Sequence, residues 1–155
     1  MTPIAHQWYM RNTYIENNLI VPGKVELKGE AIDLGRIKQD VYAVGAEKDH
    51  IVPWDAAWRI TQLAGGKVHF VLASSGHIAG IINPPGGKGT YWTNDKPAAT
   101  PEEWRKNATA HDGSWWSDWK QWLADHSGER VPPPPMGNEK HPPLEDAPGK
   151  YVLEK

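Results

Sequence analysis

Two residues of this sequence have the side chains that acid–base catalysis uses, and each follows an apolar, strand-like run. Asp49 stands in AEKDHIVPW after the run at 41–46, and His77 stands in SSGHIAG after the run at 68–72. A carboxylate beside an imidazole fixes the tautomer of the ring and stabilises the imidazolium that forms when the ring takes a proton. Together they would supply the acid and the base of a nucleophile–His–acid triad.

Each of these residues also has a structural interpretation. An Asp after a strand is commonly a turn or cap residue, and a His there is commonly a hydrogen-bonded surface residue. His50 is a candidate for the lining of a substrate pocket, or else an exposed loop residue. None of Ser74, Ser75 and Ser114 stands in a G-x-S-x-G elbow, so we assign none of them as a nucleophile. The sequence has no cysteine and no H-E-x-x-H motif, so we predict no metal site and no cofactor.

The elements that would position Asp49 and His77 form a strand–helix–strand unit. A buried strand at 41–46 leads to a helix that opens at Pro53-Trp54-Asp55 and stops at Gly65-Gly66, and a second strand follows at 68–72. Short connections of this kind imply parallel strands. Because the carboxyl ends of adjacent parallel strands share one sheet edge, we expect Asp49 and His77 to meet there.

The remaining chain is predicted as flanking structure. We expect a helix over 7–20, a hairpin around Lys28-Gly29, a long loop over 83–101, and a helix over 101–123 with a break near Asp112-Gly113. Two buried parallel strands need neighbours on both faces, so residues 1–126 resemble the last third of a larger α/β domain. From Ser127 the chain is Pro-rich, and we expect an extended tail over 127–155.

Tryptophan is unusually frequent, with nine Trp against one Phe. Trp115, Trp119 and Trp122 share a helical face, which we interpret mainly as core or docking surface, with polymer binding as the alternative. The net charge of −2 gives no electrostatic case for nucleic acid or an anionic membrane. No apolar run reaches the roughly 18 residues of a transmembrane segment, and MTPIAHQWYM does not have the pattern of a signal peptide. The absence of cysteine fits a cytoplasmic protein, which is the location we expect.

Several long strings, in order along nearly the whole chain, resemble the C-terminal portion of class I polyhydroxyalkanoate synthases. They are WYMRNTYIENNLIVPG, EKDHIVPWDAAW, GGKVHFVLASSGHIAGIINPP, GSWWSDWKQWL and EDAPGKYVLEK. The resemblance implies an α/β-hydrolase fold and polymerisation of 3-hydroxyacyl-CoA, such as 3-hydroxybutyryl-CoA, into a polyester with release of CoA. It also implies a Cys-Asp-His triad in which Asp49 and His77 match the Asp and the His, a homodimer, and association with polyester granules.

The family's G-x-C-x-G elbow and its lid have no counterpart in this sequence. We therefore expect a C-terminal fragment that is inactive alone, because the cysteine and the oxyanion donors of the elbow are missing. Two alternatives stay open: a segment of an esterase or polyester depolymerase of the same fold, and a non-catalytic fragment that binds a synthase subunit or a granule.

Overall fold

The computed structural model describes residues 1–154, in two compact units, Met1–Asp125 and His126 onward. The α-helices are α1 (Pro3–Tyr9), α2 (Trp54–Trp58), α3 (Ile60–Leu63), α4 (Pro101–Lys106) and α5 (Trp116–His126). The strands are β1 (Glu26–Leu27), β2 (Glu30–Ala31), β3 (Val41–Ala46), β4 (Val68–Ala73), β5 (Thr90–Thr93) and β6 (Thr109–Asp112). No helix within residues 1–154 is both long and apolar enough to cross a membrane.

The central sheet has the strand order β3-β4-β5-β6. Strands β3 and β4 are parallel, with Val41 opposite Val68 and Ala46 opposite Ala73, and α2 and α3 connect them. The predicted strand–helix–strand unit is confirmed, and the fold is mixed α/β. Strands β5 and β6 add to it in antiparallel fashion, so the sheet is not wholly parallel.

The predicted hairpin is also confirmed. Strands β1 and β2 pair antiparallel through a two-residue turn at Lys28 and Gly29, whose φ angles are 53° and 83°. Positive φ at both central residues is the geometry that matches the twist of a two-residue hairpin, and glycine adopts it without steric cost.

Two predictions about the second half of the chain are wrong. The expected loop over 83–101 contains β5, and the expected helix over 101–123 is two helices, α4 and α5, with β6 between them. The predicted break near Asp112-Gly113 falls at the end of β6, but a strand rather than a simple break separates the helices. Both β5 and β6 are four-residue strands that pair with each other, and β5 also pairs with β4. Pairing partners distant in sequence specify such short strands, whereas local propensity favours the surrounding loop and helices.

Two predicted helices differ in their details. The N-terminal helix starts earlier, at Pro3 with Thr2 as its N-cap, and continues as a π-helix over Met10–Ile15. A left-handed Asn17, with φ of 49°, separates it from a short 3₁₀ turn. The connection between β3 and β4 is split at Arg59 into α2 and α3.

The core lies on both faces of β4. Phe70 and Leu72 pack with Trp58 and Trp104 on one face, and Val71 and Ala73 pack with Trp115 on the other. This alternation follows from the two-residue period of a strand. The core interpretation of the tryptophan face is confirmed at Trp115, while Trp119 is 38% exposed.

A polar network fixes α5 to the sheet on the second face. The Tyr42 hydroxyl donates to Asp118 Oδ2 over 2.7 Å, and His69 Nε2 lies 2.9 Å from the same oxygen. His69 Nδ1 lies 2.8 Å from Asp95 Oδ1. Burial, together with the hydrogen bond to the Asp118 carboxylate, raises the pKa of Tyr42 above its ordinary value.

We expect Tyr42→Phe to lower the free energy of unfolding by about 0.5–1.5 kcal/mol at neutral pH. Unfolded tyrosine ionises near pH ~10, so the contribution of Tyr42 is complete below that pH and is lost as pH rises above it. The free energy of unfolding can be measured with urea at pH ~8 and at pH ~10.5. It should fall less between the two pH values in Tyr42→Phe than in the control Tyr151→Phe, whose substituted side chain is exposed. Equal alkaline losses would contradict the assignment.

Candidate active site

The loops that carry Asp49 and His77 run side by side because the β3–β4 ladder continues beyond the strands. Glu47 N donates to Ala73 O over 2.8 Å, and Lys48 N donates to Ser75 O over 3.0 Å. These two bonds extend the parallel pairing to within two residues of Asp49 and of His77. The pairing of the strand ends therefore sets the distance between the two loops.

The Asp49 carboxylate is held at both oxygens. Oδ1 accepts from the backbone N–H groups of Ile51 and Val52, at 2.8 and 2.9 Å. Oδ2 lies 2.8 Å from His77 Nδ1. The expectation that Asp49 and His77 meet at one edge of the sheet is confirmed, whereas their catalytic role stays a prediction.

The surroundings of Asp49 keep it ionised. The hydrogen bond from Val52 N–H, with those from His77 and Ile51, lowers the pKa of Asp49 to about 2, although burial opposes the shift. An ionised carboxylate can only accept a hydrogen bond, so His77 Nδ1 must be the donor in this contact. The tautomer of the neutral ring is therefore fixed, and its Nε2 carries the lone pair.

His77 presents that nitrogen to the outside. The His77 side chain is 43% exposed, while that of Asp49 is 7% exposed. Within residues 1–154, Nε2 of His77 makes no hydrogen bond. A buried carboxylate behind an accessible imidazole is the geometry of a general base that a third group orients.

The other candidate residues are not brought into this pair. His50 is exposed, and the proposal that it lines a substrate pocket stays a prediction. Ser114 is 5% exposed and donates its hydroxyl to Asn83 O, while Ser74 Oγ accepts from Thr90 N. Among residues 1–154, no group of three His, Asp or Glu side chains could hold a metal ion.

The lowered pKa of Asp49 gives a prediction for acid stability. Unfolded Asp titrates near pH ~4, so the stabilisation from Asp49 is present above that pH and is lost as pH falls towards the folded pKa. Between pH ~5 and ~3, the free energy of unfolding should fall less in Asp49→Asn than in the unaltered chain. Urea titrations measure this, and Asp55→Asn, an exposed carboxylate of α2, is the control. If the free energy of unfolding of Asp49→Asn fell between pH ~5 and ~3 as much as that of the unaltered chain, the hydrogen-bonding scheme would be contradicted.

Sequence reasoning missed the apolar rim around the pair. Ile51, Val52, Ile78 and Ile82 are between 46% and 73% exposed, and they follow Asp49 or His77 closely in the chain. Four exposed branched aliphatic side chains in the two loops that carry the pair are suited to an apolar partner or substrate. The available signal was the apolar residues that directly follow Asp49 and His77 in DHIVP and GHIAGII, where a polar turn would be expected.

Sequence reasoning also missed an ion pair beside Asp49. Arg105 Nη2 of α4 lies 3.1 Å from Glu47 Oε1, and its guanidinium lies 3.8 Å from the centre of the Trp92 ring. This contact ties the start of the Asp49 loop to α4 and β5. Nothing in the local sequence predicts it, because Glu47 and Arg105 are far apart in the chain.

Comparison with characterised proteins identifies relatives along nearly the whole chain. The poly(3-hydroxyalkanoate) polymerase subunit PhaC of Cupriavidus necator is 47% identical over 150 residues, which are 96% of this chain and 26% of that protein. Poly(3-hydroxyalkanoate) polymerase 2 of Ectopseudomonas oleovorans is 45% identical over 139 residues, covering 88% of this chain and 25% of that protein. The PhaC subunit of Rhizobium etli is 36% identical over 156 residues, covering 100% of this chain and 24% of that protein.

These similarities confirm the family resemblance that the sequence motifs indicated. The chain spans about a quarter of the length of each of these relatives. No protein-family model matches the chain.

Proposed function

We propose, from the relationship of this chain to a quarter-length segment of the poly(3-hydroxyalkanoate) polymerases, that it supplies the acid and the base of a polyester-forming acyltransferase. The substrate would be a 3-hydroxyacyl-CoA, such as 3-hydroxybutyryl-CoA, and the product a polyester with release of CoA. The observation that carries the proposal is the contact of 2.8 Å between Asp49 Oδ2 and His77 Nδ1, which leaves Nε2 free within residues 1–154.

His77 is the general base in this proposal. Its Nε2 takes the proton of a nucleophilic thiol, and the thiolate attacks the thioester carbonyl, forming an acyl-enzyme and expelling CoA. The imidazolium returns the proton to the departing CoA sulfur. In the extension step, Nε2 takes the proton of a monomer's 3-hydroxyl, whose oxygen forms the new ester bond as the thiolate leaves.

Asp49 acts through His77 in both steps. Its ionised carboxylate holds the Nδ1–H and stabilises the imidazolium, and its own bonds to Ile51 and Val52 keep it in place. The thiol must come from outside the given sequence, which has no cysteine. We therefore expect no turnover from the chain alone.

The sheet topology and the exposed apolar residues support the proposed fold, domain and substrate. A parallel β3–β4 pair with the acid and the base at its carboxyl end is compatible with an α/β-hydrolase fold. We propose that residues 1–126 belong to that catalytic domain, that 127–155 are a Pro-rich tail, and that the complete enzyme is a cytoplasmic, granule-associated homodimer. The apolar rim suits an acyl or polyester chain.

A chimera tests the proposal. The segment of the Cupriavidus necator polymerase that matches this chain is replaced by this chain, and CoA release from 3-hydroxybutyryl-CoA is measured with a thiol reagent. We expect CoA release with polymer formation from the chimera and neither from the chain alone. Hydrolysis to the free 3-hydroxy acid without polymer would instead favour an esterase, and a folded but inactive chimera would contradict the proposal.

A further inference from the structure

We propose that Ser114, Trp115 and Trp116, at the start of α5, form a clamp that positions His77 by holding the loop that follows it. They are positioning residues, because they contact neither Asp49 nor His77 directly in the hydrogen-bond network. The clamp itself is a feature of the fold. Only its expected effect on turnover rests on the proposed function.

Three successive residues donate side-chain hydrogen bonds to one short stretch of backbone. Trp115 Nε1 donates to Gly80 O over 2.9 Å, and Trp116 Nε1 donates to Ile81 O over 3.0 Å. Ser114 Oγ donates to the carbonyl of Asn83, and it also accepts from Trp116 N over 3.1 Å. Three carbonyls within four residues thus accept hydrogen bonds from side chains at the start of one helix.

The clamped stretch is continuous with the turn that carries His77. Gly80 N donates to Gly76 O over 2.8 Å, and Ile82 N donates to Ile78 O over 2.8 Å, so the residues around His77 form one hydrogen-bonded turn. A Cβ on Gly80 would lie 2.7 Å from the Cβ of Ala46, which shows how closely this turn packs on the end of β3. A displacement of the Gly80 carbonyl would therefore move the His77 ring relative to Asp49.

The clamp is itself fixed to the sheet. Asp118, in the first turn of α5, accepts from Tyr42 and lies 2.9 Å from His69 Nε2. The Trp115 ring stacks on Tyr42 with centroids 6.1 Å apart. The start of α5 is thus held on one side by β3 and β4, and it holds the His77 turn on the other.

Tryptophan-to-phenylalanine substitutions separate positioning from packing. Phenylalanine keeps an aromatic ring in place but removes the indole N–H, so the Gly80 carbonyl loses the Trp115 donor and the Ile81 carbonyl keeps only the 3.2 Å bond from Asn83 N. The substitution also removes the volume of one of the two rings of the indole, so the free energy of unfolding of each variant is measured alongside to report the packing loss. Trp119→Phe is the matched control, because Trp119 lies on the same helix and contacts Trp115, with centroids 5.9 Å apart.

The test uses the full chain and the NMR signal of the His77 Nδ1 proton, whose exchange with solvent we expect the 2.8 Å contact with Asp49 to slow. In the Trp115→Phe/Trp116→Phe double variant we expect this proton to exchange about 5- to 30-fold faster, with the circular dichroism spectrum retained. Trp119→Phe should leave the exchange rate unchanged. An unchanged rate in the double variant would overturn the clamp, and Trp116→Phe alone provides the same comparison if the double variant unfolds.

A second readout distinguishes failure of the clamp from failure of the proposed function. In the chimera, Trp116→Phe should lower kcat because the base is misplaced, and any rise in KM for the acyl-CoA should be smaller than the fall in kcat, since only Ile78 and Ile82 of the apolar rim lie on the displaced turn. If the chimera without further substitution is inactive, but the His77 proton exchanges faster in the Trp115→Phe/Trp116→Phe variant of the chain, the proposed function is contradicted and the clamp is supported. Unchanged exchange would overturn the clamp whatever the chimera does.

Discussion

His77→Gln in the polymerase chimera should lower the rate of CoA release by at least about 10³-fold. Glutamine is polar and of similar reach, but its amide cannot accept and return a proton at neutral pH, so neither the thiol nor the 3-hydroxyl would be activated. The structure motivates the size of the effect, because Nε2 of His77 is the outward-facing nitrogen of a ring whose other nitrogen is bound to Asp49.

His50→Gln is the control for this loss, since His50 lies in the same loop region and is exposed. We expect its rate to stay within about tenfold of the unaltered chimera, the range of a pocket residue outside the proton transfer. A His77→Gln chimera that keeps more than about a tenth of its rate would remove His77 from the role of base.

Asp49→Asn should cost about 10³- to 10⁴-fold in CoA release, an effect comparable to the loss of the base. Asparagine still offers a carbonyl oxygen to the backbone of Ile51 and Val52, so the loop geometry should persist. What is lost is the negative charge that fixes the Nδ1–H tautomer and stabilises the imidazolium. The loss should therefore appear in kcat rather than in KM.

Asp55→Asn serves as the matched carboxylate control, because Asp55 is an exposed residue in the first turn of α2. We expect its rate to stay within about twofold of the unaltered chimera, as for surface substitutions generally. Equal losses in Asp49→Asn and Asp55→Asn would point to a general charge effect and contradict the assignment of Asp49.

The sequence predicts the part of the fold that depends on strong local patterns. Strands β3 and β4 and the Lys28–Gly29 turn follow from apolar runs and turn residues, and the meeting of Asp49 and His77 follows from the parallel pairing of those strands. Strands β5 and β6 could not be predicted in this way. They are four residues each, and their burial arises from pairing with β4 and with each other.

The contacts that hold the His77 turn in place also join residues that are far apart in the chain. The indole donors of Trp115 and Trp116 reach the His77 turn across the fold, and their spacing in the chain indicates only an apolar helix face. The outcome for Ser114 is similar: its sequence context excludes a nucleophile elbow but does not predict the bond to Asn83. Contacts of this kind depend on where α5 docks, which local pattern does not determine.

The most direct test of the central claim is a double-mutant cycle on CoA release by the chimera, with Asp49→Asn, His77→Gln and both together. If the two residues act as one acid–base unit, the double variant should be about as slow as His77→Gln alone, roughly 10³-fold below the unaltered chimera. Losses that multiply to about 10⁶-fold or more would contradict the claim, because they would mean that Asp49 and His77 contribute independently.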